Sequence, residues 1–166
     1  MRKIIITIVA AIFACAAFAE TPEQIQKGSI LIETQFTDMN LKLTNGVVFG
    51  FHATGGYFII DKLAGLASIG LDAMSGSTRF SFSLGGRYYP LKLGPGTLFG
   101  DLSFGLSTQS GGDSSLTIFG VETRAGYALF LNRNVSVEPL MYLQIPFKKN
   151  VGGVALGFGA AISIYL

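Results

Sequence analysis

The sequence is poor in charged residues, cysteine and histidine, and it contains no tryptophan. Of 166 residues only 13% are charged, and there is one histidine (His52) and one cysteine (Cys15). A single cysteine can form neither an intramolecular disulfide nor a cysteine-based zinc site. Lysine and arginine together number 12 against 10 acidic residues, a balance that excludes a basic patch for nucleic acid. Disorder is excluded as well, because 49% of the residues are hydrophobic.

The longest apolar run lies at the N-terminus, over residues 4–18, and follows two positively charged residues. It is shorter than the about 20 residues that a membrane-spanning helix needs. The run ends in a small-x-small pattern at Ala19, which is typical of a signal-peptidase site. We therefore predict a signal peptide over residues 1–19, cleaved after Ala19. Lipid modification at Cys15 is the alternative, and the bulky Phe13 shortly before it argues against that interpretation.

Beyond the signal peptide there are never 18 consecutive apolar residues, which excludes a membrane-spanning helix. Phe, Tyr, Val, Ile and Thr instead alternate with Gly and Ser, a composition typical of strands. Turn signals at regular intervals separate eight predicted strands: 28–37, 46–58, 63–74, 78–90, 96–108, 115–130, 134–146 and 152–166. This even spacing predicts an all-β, eight-stranded antiparallel up-and-down barrel over residues 28–166, after a short periplasmic segment over 20–27.

Alternation along each strand separates an apolar face from a face of small and polar residues. In the last segment Phe158 and Ile162 share the apolar face, whereas Gly157 and Gly159 lie on the other. Small residues suit the crowded interior of a narrow barrel, so the apolar face is the outer one, as in a transmembrane β-barrel. A soluble lipocalin-like barrel with an apolar cavity is the alternative. The charged residues and the histidine at strand positions all fall on the predicted inner face: Glu33, His52, Asp72, Arg79, Arg87, Asp101, Glu122, Arg124 and Glu138.

Charges inside a narrow barrel must pair, because a buried charge without a partner is strongly unfavourable. We predict that the inner residues form a salt-bridged charge network that fills the lumen. Glu122 and Arg124 lie two apart on one strand face, and Arg87 and Asp101 flank one hairpin as cross-strand partners. A narrow conduit for cations or weakly basic solutes is the alternative, suggested by the excess of acidic residues.

Tyrosine is concentrated where the even-numbered strands end, which is the periplasmic side if the N-terminus is exported. Transmembrane barrels carry aromatic girdles at the membrane interfaces. We therefore predict that five of the six tyrosines form a periplasmic aromatic girdle: Tyr57, Tyr88, Tyr89, Tyr127 and Tyr165.

Three segments, residues 56–64, 84–90 and 125–130, resemble the strand–periplasmic turn–strand units of a known family. That family is the small eight-stranded outer-membrane β-barrels, the group that includes the OmpA barrel domain, OmpX and OmpW. The last strand resembles the assembly signal of such proteins, although it ends in Leu166 where Phe is usual. The resemblance implies an outer-membrane location and recognition by the outer-membrane assembly machinery. It specifies architecture and not activity.

No phosphate loop, metal-ligand cluster or nucleophile motif occurs in the sequence, so we expect no enzyme activity, metal or cofactor. Some outer-membrane barrels modify lipid A through a histidine and a serine, but His52 has no serine beside it in the sequence and points inward. We expect a monomer with a structural role in envelope integrity. The alternative is a narrow channel for small molecules, which would pass either through the lumen or sideways between strands.

The predicted outward loops are short and rich in Gly, Ser, Asn and Lys. They lie near residues 38–45, 75–77, 109–114 and 147–151. Such loops offer little area for a protein partner, because a stable interface buries about 800 Å² on each side. We expect contacts with outer-membrane lipids, and with the phosphates of lipopolysaccharide through Lys42, Lys148 and Lys149.

Overall fold

The chain forms a closed barrel in which every strand pairs antiparallel with its sequence neighbours. The computed structural model describes residues 23–36, 49–74, 77–111, 114–147 and 154–166. β1 also pairs with β8, for example at Leu31 and Tyr165, which closes the barrel. The strands are β1 (Ile30–Phe36), β2 (Phe49–Ile60), β3 (Leu63–Met74), β4 (Ser77–Leu93), β5 (Gly96–Gly111), β6 (Ser114–Phe130), β7 (Val135–Pro146) and β8 (Ala155–Tyr165).

The predicted eight-stranded up-and-down barrel is confirmed, and the strand limits agree with the prediction to within three residues. The predicted signal peptide and its cleavage site at Ala19 lie outside the described residues, as does Cys15. Among the helical segments that the structure describes, none is long and apolar enough to cross a membrane.

Short turns close one end of the barrel, which we call the base. They lie at residues 61–62, 94–95 and 131–134. Lys62 and Gly94 have positive φ angles of 67° and 58°, the left-handed backbone that tight turns require. In the third turn the Asn132 carboxamide oxygen accepts hydrogen bonds from the backbone N–H groups of Asn134 and Val135, at 2.8 and 2.9 Å. The left-handed backbone and the side-chain hydrogen bonds of these turns hold the strand ends together.

The segment before β1 packs against the base instead of leading away from it. A single 3-10 turn, Glu23–Ile25, buries the Ile25 side chain completely. The backbone N–H of Lys27 donates to Asp61 Oδ1 at 2.8 Å, and the backbone groups of Ile30 and Leu166 exchange two hydrogen bonds of 2.8 and 2.9 Å. The described part of the predicted periplasmic segment therefore packs against the base of the barrel.

The outer surface carries large apolar side chains and the interior carries polar ones. Exposed side chains in the middle of the strands include Ile69, Leu71, Phe80, Phe82, Leu84, Leu102, Phe104, Phe119 and Phe158. Buried polar or charged side chains include Glu33, Thr54, Asp72, Arg87, Asp101, Arg124, Ser136 and Glu138. This distribution is the reverse of the one that water imposes on a soluble barrel, and it matches a barrel whose outside faces hydrocarbon.

Candidate functional site

Arg87 of β4 is the centre of a charged cluster inside the barrel. Its guanidinium is fully buried and donates to Asp101 through two nearly parallel bonds, Nε to Oδ1 at 2.7 Å and Nη2 to Oδ2 at 2.9 Å. Its Nη1 donates to Glu138 Oε2 at 2.8 Å, and its Nη2 donates to Glu33 Oε2. One arginine thereby joins β4 to β5, β7 and β1. Charge-assisted, two-pronged bonds of this kind are both strong and geometrically specific.

Arg124 of β6 extends the cluster by sharing two of the same carboxylates. Its Nη1 lies 2.9 Å from Glu33 Oε1 and its Nη2 lies 2.7 Å from Asp101 Oδ2. Strand register explains the shared partners, because Arg87 lies opposite Asp101 and Asp101 lies opposite Arg124. We call the five residues the ionic cluster: Glu33, Arg87, Asp101, Arg124 and Glu138. They come from five of the eight strands and meet across the lumen.

The ionic cluster contains three carboxylates and two guanidinium groups, a formal excess of one negative charge. At Glu138, hydrogen bonds from uncharged donors stabilise the additional negative charge. Its Oε1 accepts hydrogen bonds from Ser136 Oγ and from the Tyr165 hydroxyl, both at 2.7 Å. The ring of Phe99 lies 4.1 Å below the Arg87 guanidinium and adds a cation–π contact. Each charged group of the cluster is thus paired or hydrogen-bonded, as a buried charge requires.

An apolar and aromatic floor fills the interior between the ionic cluster and the base. Phe58 lies 5.7 Å from Tyr89 and 6.4 Å from Tyr165, and Tyr89 lies 6.1 Å from Phe99, measured between ring centroids. Ile25, from the segment before β1, belongs to the same buried cluster. This floor leaves the barrel closed at the base by packed side chains.

Comparisons with known proteins address the fold. No family model matches the chain, and no curated protein sequence is similar to it. Among solved structures, the N-terminal β-barrel domain of Pseudomonas aeruginosa OprF superposes with a TM-score of 0.61 at 20% identity, over 84% of this chain and 98% of that one. Neisserial surface protein A superposes with a TM-score of 0.59 at 16% identity, over 82% of this chain and 93% of that one.

A third structure extends the same likeness. The outer membrane protein OprG from Pseudomonas aeruginosa superposes with a TM-score of 0.55 at 14% identity, over 86% of this chain and 98% of that one. The chain has the fold of the small eight-stranded outer-membrane β-barrels. The resemblance predicted from residues 56–64, 84–90 and 125–130 is therefore confirmed for the fold. At these sequence identities the comparison does not assign functional roles to individual residues of this chain.

The interior has a second polar region farther from the base. His52 Nε2 lies 2.9 Å from Asp72 Oδ1, and Arg79 Nη2 donates to Gln109 Oε1 at 3.4 Å. Glu122 Oε2 accepts from Gln144 Nε2 at 2.6 Å, and its Oε1 lies 3.7 Å from Arg124 Nε. The structure thus brings five of the nine predicted inner residues into the ionic cluster. It places the other four in smaller groups: His52, Asp72, Arg79 and Glu122.

Ser81 lies near His52 in the folded barrel, although the two residues are far apart in the sequence. Gly70 lies between them in register, and Ser81 Oγ and His52 Nδ1 both reach into the space that a Cβ on Gly70 would occupy. Asp72, His52 and Ser81 therefore lie on neighbouring strands of the inner wall. In this row the His52 imidazole is hydrogen-bonded to the Asp72 carboxylate.

The predicted periplasmic girdle is wrong for two of its five tyrosines. Tyr89 and Tyr165 are 0% and 1% exposed, and their hydroxyl groups lie 3.0 Å apart inside the barrel. Position in the strand explains the error, since Tyr89 lies two residues from Arg87 and so shares its inner face. Tyr57 and Tyr127 do face outward near the base, Tyr57 being 54% exposed. Tyr88, also on the outer face, is half-buried.

Several residues of the site were missed by the sequence analysis. Tyr89, Phe99, Ser136 and Tyr165 complete the ionic cluster and the floor, and strand alternation alone would have placed each on the inner face. Within the described ranges no three His, Cys, Asp or Glu side chains are grouped closely enough to hold a metal ion. Lys42, Lys148 and Lys149 lie outside the described residues.

The Tyr89 to phenylalanine variant tests whether the buried tyrosine hydroxyls support the ionic cluster. The variant deletes a buried group that bonds Tyr165 and lies 3.5 Å from Arg87 Nη1, while the ring packing stays. We expect the free energy of unfolding to fall by about 1–2 kcal/mol in a urea titration in detergent. Tyr57→Phe, on the outer wall, is the matched control and is expected to change stability by less than about 0.5 kcal/mol. Equal effects would contradict the interior role of Tyr89.

Proposed function

We propose that this protein is an exported, monomeric integral outer-membrane barrel with a structural role in envelope integrity and a lumen that does not conduct. The observation that carries the proposal is the ionic cluster, in which the Arg87 side chain is 0% exposed and bonded to three other strands. A water-filled pore of this width needs a continuous polar path. Here the ionic cluster, backed by the aromatic floor, occupies the cross-section.

The outer surface supports the membrane location. Exposed Leu, Ile and Phe side chains on the outer wall would cost about 25 cal/mol for each Å² of apolar surface left in water. The fold likeness to OprF, Neisserial surface protein A and OprG agrees with this environment. We propose that a signal peptide cleaved after Ala19 directs the export.

Two partners are part of the proposal. Alternate apolar residues of β8, Leu156, Phe158, Ile162 and Ile164, face outward and would present the strand to the outer-membrane assembly machinery. We propose lipopolysaccharide as a second partner, with its phosphates bound by Lys42, Lys148 and Lys149. No enzymatic role is proposed, and neither nucleic acid nor a cofactor is among the partners.

Recording in planar bilayers tests the closed lumen. The folded protein, identified by a band whose gel mobility changes on boiling, is expected to give no steady conductance because the interior is filled by side chains. A steady conductance that Ser83→Phe abolishes would contradict the proposal and support a channel, because Ser83 lies on the inner wall. Gly157 is unsuitable for such a block, since the ring of Tyr142 already occupies the space beside it.

A further inference from the structure

The pairing of β1 with β8 closes the barrel, and we call this pair the seam. Every other pair of neighbouring strands is consecutive in the chain, whereas β1 and β8 are the first and last strands of the barrel. β1 is also the shortest of the described strands, with seven residues, Ile30–Phe36. Bringing together strands so distant in sequence costs loop-closure entropy that no short turn reduces. Residues 23–29, which precede β1 and which we call the clamp, lie at the base beneath this seam.

On one side of the seam the clamp is bonded to β2 and to the turn that follows β2. The backbone of Phe58 accepts a hydrogen bond from the Gly28 N–H at 2.9 Å and donates one to Ser29 O at 3.0 Å. In the β2–β3 turn, the Lys62 N–H donates to Ile25 O at 2.8 Å. These bonds fix the clamp to the half of the barrel that begins with β1 and β2.

On the other side of the seam the clamp lies beside the end of β8. Glu23 and Gln24 line a cleft of about 180 Å³ at the base, together with Tyr165 and Leu166. Between these two sides, Ile30 and Leu166 exchange the pair of backbone hydrogen bonds that begins the seam. The clamp therefore runs beneath β1 from the end of β8 to β2, so that it connects the two sides of the seam.

Ile25 anchors the clamp in the floor of the barrel. Its side chain is fully buried in the cluster that contains Phe58 of β2, Tyr89 of β4 and Tyr165 of β8. Because these side chains come from strands that are distant in the sequence, the site for Ile25 is complete only when the barrel is closed. Docking of Ile25 and closure of the seam therefore stabilise each other.

Gly28 allows the chain to turn from the clamp into β1. Its φ angle is 95°, a left-handed conformation that is unfavourable for residues with a side chain. A Cβ added at Gly28 would meet no other atom within 4 Å. The requirement for glycine at this position comes from the backbone conformation and not from crowding.

We propose that residues 23–29 hold the seam closed at the base, and that Ile25 docks only when β8 is in place. When Ile25 leaves the floor, the seam opens locally from the base, whereas strand pairs that are joined by a turn stay formed. The clamp does not depend on the proposed function, because its contacts are the same in a detergent micelle and in a membrane.

Hydrogen–deuterium exchange of the folded protein in detergent, measured by mass spectrometry for each strand, tests the clamp. In Ile25→Asp a carboxylate cannot remain in the apolar floor, so we expect the amides of β1 and of residues 161–165 to exchange about tenfold faster than in wild type. The amides that pair β4 with β5 are expected to keep their wild-type rates. Gln26→Asp is the matched control, because Gln26 is adjacent and exposed, and it should leave all rates unchanged.

Gly28→Ala tests the clamp without placing a charge in the floor. We expect exchange at the seam to become about tenfold faster, because alanine disfavours the left-handed backbone. Gly55→Ala is the matched control on β2. A Cβ at Gly55 also meets nothing within 4 Å, but Gly55 has no positive φ angle, so this variant should exchange as wild type does.

Every variant is first checked for the heat-modifiable band of the folded barrel. If Ile25→Asp does not give this band, Gly28→Ala decides the question. Wild-type exchange at the seam in a folded Ile25→Asp variant would overturn the clamp, and so would a rise of the same size in β4 and β5. Equal rates at the seam in Gly28→Ala and Gly55→Ala would overturn it as well.

Discussion

Replacing Arg87 with glutamine is expected to lower the free energy of unfolding by about 3–5 kcal/mol, since removing one partner from a buried ion pair leaves the opposite charge uncompensated. Here the substitution removes the cation that three buried carboxylates share: Glu33, Asp101 and Glu138. Arg124 can neutralise part of that charge, because it already contacts Glu33 and Asp101. Urea titrations in detergent, followed by circular dichroism and by the heat-modifiable band, measure the effect.

Arg79→Gln is the matched control for this experiment. Arg79 lies on the inner face of the same strand, but it is half-buried and donates a long hydrogen bond of 3.4 Å to Gln109. We expect a loss of less than about 1 kcal/mol. The double variant Arg87→Gln with Asp101→Asn should cost less than the sum of the two single changes, by about 0.5–3 kcal/mol, because the two groups are coupled. Equal losses for Arg87→Gln and Arg79→Gln would show that the ionic cluster does not hold the barrel.

Placing an arginine at Leu102 is expected to destabilise the barrel by about 2–4 kcal/mol in lipid vesicles, the cost of an arginine at the bilayer midplane. Leu102 is 51% exposed on the outer wall of β5 and lies six residues from the base end of that strand, Gly96. At about 3.3 Å per residue and a strand tilt of about 45°, this position lies near the centre of the apolar band. Folding from urea into vesicles gives the free energy directly.

Leu131→Arg controls for the substitution itself. Leu131 is 63% exposed but lies in the turn between β6 and β7, at the membrane interface of the proposed orientation. There an arginine costs about 0–1 kcal/mol, because it can reach water. If Leu102→Arg proved as mild as Leu131→Arg, the outer wall would face water and the protein would be a soluble barrel. The same comparison therefore separates the proposed membrane location from the lipocalin-like alternative.

The sequence alone was sufficient for the architecture. Eight segments with strand composition and regularly spaced turns predict the barrel, because strand period and turn chemistry are local properties of the chain. The same period separates inner from outer residues within a strand. It places Arg87 and Tyr89 on the same, inner face of β4. The assignment of Tyr89 to an interfacial girdle was wrong because it relied on the position of Tyr89 near the end of the strand and not on the alternation of faces.

Only the tertiary structure decided which inner residues meet. Arg124 contacts Glu33 across 91 residues of sequence, and Arg87 contacts Glu138 across 51. These contacts depend on barrel closure and on strand register, and the β4–β5 register shifts between Tyr88 and Leu91 in a way that no local signal specifies. The packing of Ile25 beneath the floor likewise exists only once distant strands are adjacent. Local periodicity determined the faces of the barrel, whereas long-range register and packing determined its site.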